Sequence, residues 1–189
     1  MDITPEIIKS CTRGDRKAIN LLYEYGFKIL MPVCFRYNNN EEDARASFNA
    51  GFIKVLKGLE KVDGDINFNA WAKRIMVNSL IDEYRKNKKY NARITRSDNE
   101  AELDYYSKGH CNEAESNLGY ENIMMLVKEL PAASAHVFNL YVIEGYSHRE
   151  IGEKMEMSEG TSKWHLSTAR KLLREKLDKL ENQNQRMVI

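Results

Sequence analysis

Apolar residues recur three and four positions apart through most of the chain, and no segment shows the strict alternation of a half-buried strand, so the pattern predicts helices throughout. Thr4 and Pro5 supply a cap and a first helical position, and helices are expected over 5–12, 15–25 and 27–37, the third bent at Pro32. Asn40 followed by Glu41, Glu42 and Asp43 is an amide cap leading into acids that favour a helix N-terminus. That helix should reach about Leu59, with Phe48, Phe52, Val55, Leu56 and Leu59 among its apolar positions. Residues 62–67 (VDGDIN) have turn chemistry, and 68–90 resumes as a long helix that ends in a basic run.

The second half opens with helices over 118–130, ending against Pro131, and 132–143, closed by Gly145. Residues 147–174 then read as two short helices joined by a tight turn. Ser147 stands three residues before Glu150, a capping box, and Ile151, Gly152 and Met155 form one apolar face. Ser158 can cap the helix that follows, whose apolar positions are Leu166, Ala169, Leu172 and Leu173. Between the halves, residues 92–117 have few aliphatics and no helical period, which is the composition of a flexible linker. The expected fold class is therefore all-α: two small helical domains, at 1–91 and 118–180, joined by that linker and followed by a tail at 181–189.

Charge changes this picture more than bulk composition does. The 189 residues carry 29 Lys and Arg against 28 Asp and Glu, a net charge of +1, and 42% hydrophobic residues are enough to build real cores. The near-neutral total hides segregation. Between Trp71 and Arg96 lie Lys73, Arg74, Arg85, Lys86, Lys88, Lys89, Arg93 and Arg96 against only Asp82 and Glu83, whereas 97–121 is acidic apart from Lys108.

Two helix faces carry candidate chemistry. On the last helix Thr161, Lys163, Trp164, Ser167, Thr168 and Lys171 are left outside the apolar stripe. Such residues suit duplex reading, since Lys bonds guanine or phosphate, hydroxyls bond base edges or phosphates, and an aromatic ring packs on a thymine methyl. An ordinary helical hairpin with a solvated face has the same periodicity. On the long helix of the first half, Trp71, Arg74, Asn78, Asp82, Arg85 and Lys89 share one face, with Lys86 beside it. Cations, an amide and an aromatic ring in line suit single-stranded nucleic acid, though a core Trp beside a solvated face fits equally well.

Cys11, Cys34 and Cys111 lie far apart without a CxxC pair and are expected to be free thiols of a reducing cytoplasm. The start lacks signal-peptide order, and the most apolar run, FKILMPVCF, is too short and too interrupted to span a membrane. His110, His136, His148 and His165 fall in four separate segments, and no HExxH, P-loop or GxSxG motif occurs, so neither an enzyme nor a metal site nor a cofactor is expected. His110 and Cys111 alone do not make a metal site.

Taken together, residues 130–177 resemble the region 4 domain of extracytoplasmic-function (ECF) sigma factors of bacterial RNA polymerase. The resemblance rests on Leu130-Pro131, Glu144-Gly145, Ser147 with Glu150-Ile151, Ser158 with Gly160-Thr161, and Ala169-Arg170. Upstream, FNAWAKRIMVNSLIDEYRKNKK is similar to the family's promoter-melting helix, with Phe68, Trp71, Arg74, Ile75, Asn78 and Asp82 in matching places. The resemblance implies a four-helix helix-turn-helix domain at the C-terminus that reads the minus-35 element, and a region 2 domain that binds core polymerase and opens minus-10. Asn78 and the 62–67 loop would then hold a flipped base, and Lys163, Trp164, Ser167 and Thr168 would meet the minus-35 groove. In the core-binding helix Asp43, Asn49 and Phe52 fit the family pattern, while Ala46 and Ala50 stand where acids are common. Core polymerase, promoter DNA and an anti-sigma factor are the implied partners, with no small-molecule substrate.

A rival reading is a stand-alone helix-turn-helix regulator, because the GTSKWHL helix also resembles that of response-type activators. Such regulators carry a receiver or ligand-binding domain, usually with strands, whereas residues 5–90 read as helical and offer no phosphoacceptor pocket. Promoter elements about 17 base steps apart lie about 58 Å from each other at about 3.4 Å per step. A linker of about 26 residues reaches up to roughly 85 Å, so it can span them.

Overall fold

The computed structural model describes residues 3–62, 66–95 and 120–187, and among these the regular structure is entirely helical. The chain divides into two compact units at residues 94 and 95. The linker expected at 92–117 falls largely outside the described residues, as do 63–65 of the loop proposed to hold a base.

The first unit comprises α1 (Pro5–Thr12), α2 (Arg16–Tyr37), α3 (Glu41–Leu59) and α4 (Phe68–Thr95). Asp15 caps α2 by accepting from the Lys17 and Ala18 amides, and Asn40 caps α3 by accepting from Asp43 at 2.8 Å. The two helices expected at 15–25 and 27–37 are one. α2 runs through Gly26 because this glycine is not a breaker but a contact point: a Cβ there would stand 3.2 Å from the Phe52 ring of α3. It also continues through Pro32, which lies on an exposed face and has no amide to donate to the Lys28 carbonyl.

The core of this unit is aromatic. Phe48 is fully buried, with Tyr23 and Phe27 meeting its ring edge-on at 5.3 and 5.2 Å and Phe52 stacked at 5.7 Å. α4 closes over it with Ala72, Met76, Val77, Leu80 and Ile81 buried, and Gly51 makes room for the Met76 thioether, which a Cβ would overlap. Each of the larger of these side chains, Met76, Val77, Leu80 and Ile81, contributes roughly 1.5–3 kcal/mol of transfer free energy. Cys11 and Cys34 are buried free thiols, and burial pushes the Cys34 thiol up to about 12.

The second unit comprises α5 (Tyr120–Lys128), α6 (Ala132–Phe138), α7 (His148–Met155) and α8 (Glu159–Met187), with a π-helical turn at Asn139–Ile143 extending α6. Gly145, two residues past that turn, has a φ of +76° that lets the Tyr146 amide reach back to the Leu140 carbonyl. Leu126, Val127, Leu130, Val137, Leu140, Ile151, Met155, Leu166, Ala169 and Leu173 form the core. An ion pair between Lys176 and Glu129 ties α8 to the turn that follows α5. α8 runs well into the stretch expected as a tail, and α4 continues past Tyr90 to Thr95.

Candidate nucleic-acid interface

The bihelical turn in the second unit is built by three local devices. Ser147 accepts from the Glu150 amide while the Glu150 carboxylate accepts from the Ser147 amide at 2.8 Å, completing the capping box of α7. Glu156 adopts left-handed backbone (φ 55°, ψ 51°), which ends α7 and returns the Met157 amide to the Gly152 carbonyl at 3.0 Å. Ser158 then accepts from the Thr161 amide at 3.0 Å and starts α8. Ile151 and Met155 of α7 and Leu166, Ala169 and Leu173 of α8 are buried as the periodicity predicts, while Leu172 is only half-buried.

Two histidines pin this arrangement, and sequence reasoning assigned them no such role. His148 Nδ1 lies 2.9 Å from the Ser162 hydroxyl of α8, and its ring stacks on Tyr141 at 4.5 Å. His165 Nδ1 lies 3.1 Å from the Ser134 hydroxyl of α6. Buried Ser134 and Ser162 thereby gain partners that cross between helices. No local pattern signals such pairs, since the partners are 14 and 31 residues apart in sequence.

α8 presents Thr161, Lys163, Trp164, Ser167 and Lys171 to solvent, with Thr168 half-buried beside them. Trp164 is 61% exposed, unusual for so large an apolar ring. Lys163 does not stand alone, because its ammonium meets the Glu159 carboxylate one turn earlier at 2.7 Å. Hydrogen bonding and charge from Lys163, helped by His148 and Arg149, hold the Glu159 carboxyl below its usual range. A groove of about 670 Å³ runs beside α8 over Leu166, lined by His148, Lys163, Ser167, Arg170, Lys171 and Arg174, with Glu175 and Asp178 further along. Its cations suit phosphate oxygens.

In the first unit α4 places Trp71, Arg74, Asn78, Arg85, Lys86 and Lys89 along one side, and Arg74, Lys86 and Lys89 are exposed. Asn67 starts this helix by accepting from the Ala70 amide. Trp71 is half-buried: its indole lies over Gly58 of α3, where a Cβ would come within 2.9 Å, and beside Phe68. Asn78 is half-buried and Asp82 bridges Lys54 of α3 at 3.3 Å and Arg85 at 3.8 Å. On α3, Asp43 and Asn49 are exposed and Asn49 accepts from the Tyr23 hydroxyl, whereas Phe52 is 4% exposed and belongs to the aromatic core. Phe52, expected beside Asp43 and Asn49 among the core-polymerase-binding residues, is thus turned by its phase on α3 toward α2, against Tyr23 and Phe48.

Among the described residues no helix is long and apolar enough to cross a membrane. The family model for sigma-70 region 2 matches residues 22–90, and that for sigma-70, region 4 matches residues 120–173. The ECF RNA polymerase sigma factor SigW of Bacillus subtilis (strain 168) is 26% identical over 179 residues, covering 90% of this chain and 94% of that protein. The RNA polymerase sigma-H factor of Pseudomonas aeruginosa is 25% identical over 182 residues, covering 93% of this chain and 94% of the relative. Among solved structures, the sigma factor RpoE of Bartonella quintana, crystallised in complex with the anti-sigma factor NepR, shares the fold with a TM-score of 0.52 at 16% identity, over 86% of this chain and 98% of RpoE. With both sigma-70 regions in order on two helical units, and relatives aligned over nearly their full length, the chain belongs to the ECF sigma factors of bacterial RNA polymerase.

Proposed function

We propose that this sigma factor divides its work between the two units: α8 of the second reads the minus-35 duplex, and α4 of the first holds unstacked bases of the minus-10 element. The observation that carries the reading is the exposed stripe of Lys163, Trp164, Ser167 and Lys171 on the second helix of a capped bihelical turn, where a groove-reading helix presents its side chains. Thr161 and Thr168 flank that stripe and Arg170 and Arg174 supply phosphate contacts. On α4, Arg74, Arg85, Lys86 and Lys89 track the backbone of the displaced strand, Asn78 bonds a flipped base, and Trp71 supplies an apolar edge rather than a freely stacking ring.

Asp43 and Asn49 on the exposed side of α3 contact core polymerase, with Ile53, 53% exposed, supplying the apolar part of that surface. Phe52 supports it from beneath. The chain acts in the cytoplasm with polymerase and catalyses no reaction itself. RpoE of Bartonella quintana is bound by an anti-sigma factor in its crystal structure, and a protein of that kind, masking these same faces, is the regulator we assign here.

Transcription in vitro with core polymerase across a promoter library tests the reading. Defined start sites should appear only when the chain is added, while the chain alone binds duplex weakly, because its net charge is +1. Tight sequence-specific duplex binding without polymerase, and no polymerase-dependent initiation, would instead describe a stand-alone regulator.

A further inference from the structure

Glu159 is an anomaly on a surface meant to approach DNA. It is the first residue of α8, and the N-terminal residues of the second helix in a helix-turn-helix are those that reach base edges. Its side chain is 51% exposed and that of Lys163 61% exposed, so neither is committed to the core. A carboxylate repels phosphates, and an ionised one can only accept hydrogen bonds. In the major groove the donors available to it are cytosine N4 and adenine N6, and beside adenine N6 stands the N7 acceptor, which repels it. Cytosine N4 is the remaining match.

Lys163 supplies the complementary group. An ammonium donates to guanine O6 and N7, and it sits 2.7 Å from the Glu159 carboxylate, Nζ to Oε1. In a C·G pair, cytosine N4 donates to guanine O6 across about 2.9 Å, the usual N–H···O distance. The side-chain pair therefore presents an acceptor and a donor at nearly the same spacing, and in the reverse polarity, as the groove edge of one C·G pair presents N4 and O6. We propose that Glu159 and Lys163 read one C·G base pair of the duplex as a unit, Glu159 accepting from cytosine N4 and Lys163 donating to guanine. This rests on α8 being the minus-35 reader.

In the free protein the same pair closes on itself and stabilises the first turn of α8, both through the helix dipole and through the i,i+4 contact. A purely structural role would stop there. The two roles separate on substitution. Glu159→Gln keeps the size of the side chain and can bond adenine N6 and N7 together, so it should redirect base preference rather than only weaken the helix.

The test is initiation by core polymerase with the full chain on a promoter library randomised across the minus-35 duplex, alongside thermal melting of each variant. The wild type should prefer C·G at one position by about tenfold or more. Glu159→Gln should move that position toward adenine on the cytosine-bearing strand, and Glu159→Ala should flatten it while preferences elsewhere persist. A melting temperature that falls while base preference stays unchanged would overturn the proposal in favour of the structural role. A uniform gain in activity on every sequence would overturn it too, leaving Glu159 as a phosphate repellent only. A wild-type chain with no minus-35 preference would overturn both the pair and the reading of α8 beneath it, whereas intact wild-type preference with an unmoved Glu159→Gln profile would remove the pair alone.

Discussion

Gly152 lies directly beneath Met157: its carbonyl accepts from the Met157 amide at 3.0 Å, and a Cβ on residue 152 would stand 2.8 Å from the Met157 carbonyl oxygen. The turn of the bihelical motif is thus seated on the one residue of α7 that has no side chain. Backbone cannot move aside as a flexible side chain can, so the contact fixes the angle at which α8 leaves.

Gly152→Ala should therefore destabilise the second unit by about 1–3 kcal/mol, the usual range for overpacking a fitted site. The two tryptophans report separately, Trp71 from the first unit and Trp164 from the second. Denaturant unfolding followed in a Trp71→Phe background should show the loss, and an unchanged midpoint would mean that the turn relaxes freely around a methyl group.

Ser147 makes two different contributions to α7, and substitutions separate them. Ser147→Ala removes the hydroxyl that accepts from Glu150 and should cost about 1 kcal/mol, whereas Ser147→Gly should cost only a few tenths of that scale because glycine is itself a fair cap. Glu150→Ala removes the reciprocal arm, the carboxylate that accepts from the Ser147 amide. Equal losses for alanine and glycine at 147 would argue against a side-chain cap.

Asn78 and the α8 pair Lys163 and Ser167 should fail in distinguishable ways. Asn78→Ala should weaken minus-10 discrimination by about 1–3 kcal/mol at one base, and a pre-opened promoter bubble should restore part of the activity. Lys163→Ala and Ser167→Ala should relax minus-35 preference without rescue by the bubble. Equal rescue of all three in the transcription assay would refute the division of labour between α4 and α8.

His136 gives the second unit a pH dependence. His136 is half-buried, and the packing around its ring pushes the imidazole down to about 4, against the Ala132 carbonyl, which accepts from Nδ1 and pulls the other way. The folded value lies below the unfolded 6.5, so between these the unfolded chain binds more protons. The contribution is fully present above about pH 6.5 and is lost as pH falls toward 4. Stability measured from pH 7 to 4 should fall more steeply in wild type than in His136→Gln, and parallel curves would show that the imidazole is not the group responsible.

Helix existence and most helix starts were written in local chemistry, and the sequence determined them by itself. Asn40, Ser147 with Glu150, and Ser158 cap their helices because a short polar side chain reaches only two or three residues ahead, a distance fixed by the backbone. The faces of α7 and α8 followed from spacing for the same reason, and so did the stripe of Lys163, Trp164 and Ser167. Tertiary structure decided whatever depended on a distant partner. Gly26 is a contact rather than a break because Phe52 lies against it, and Phe52 is core rather than surface because Tyr23 and Phe48 enclose it. His148 and His165 become pins only when Ser162 and Ser134 are brought to them by packing. Periodicity records which side of a helix is apolar, but not which neighbour covers it or how closely, and those two quantities exist only once the helices are packed.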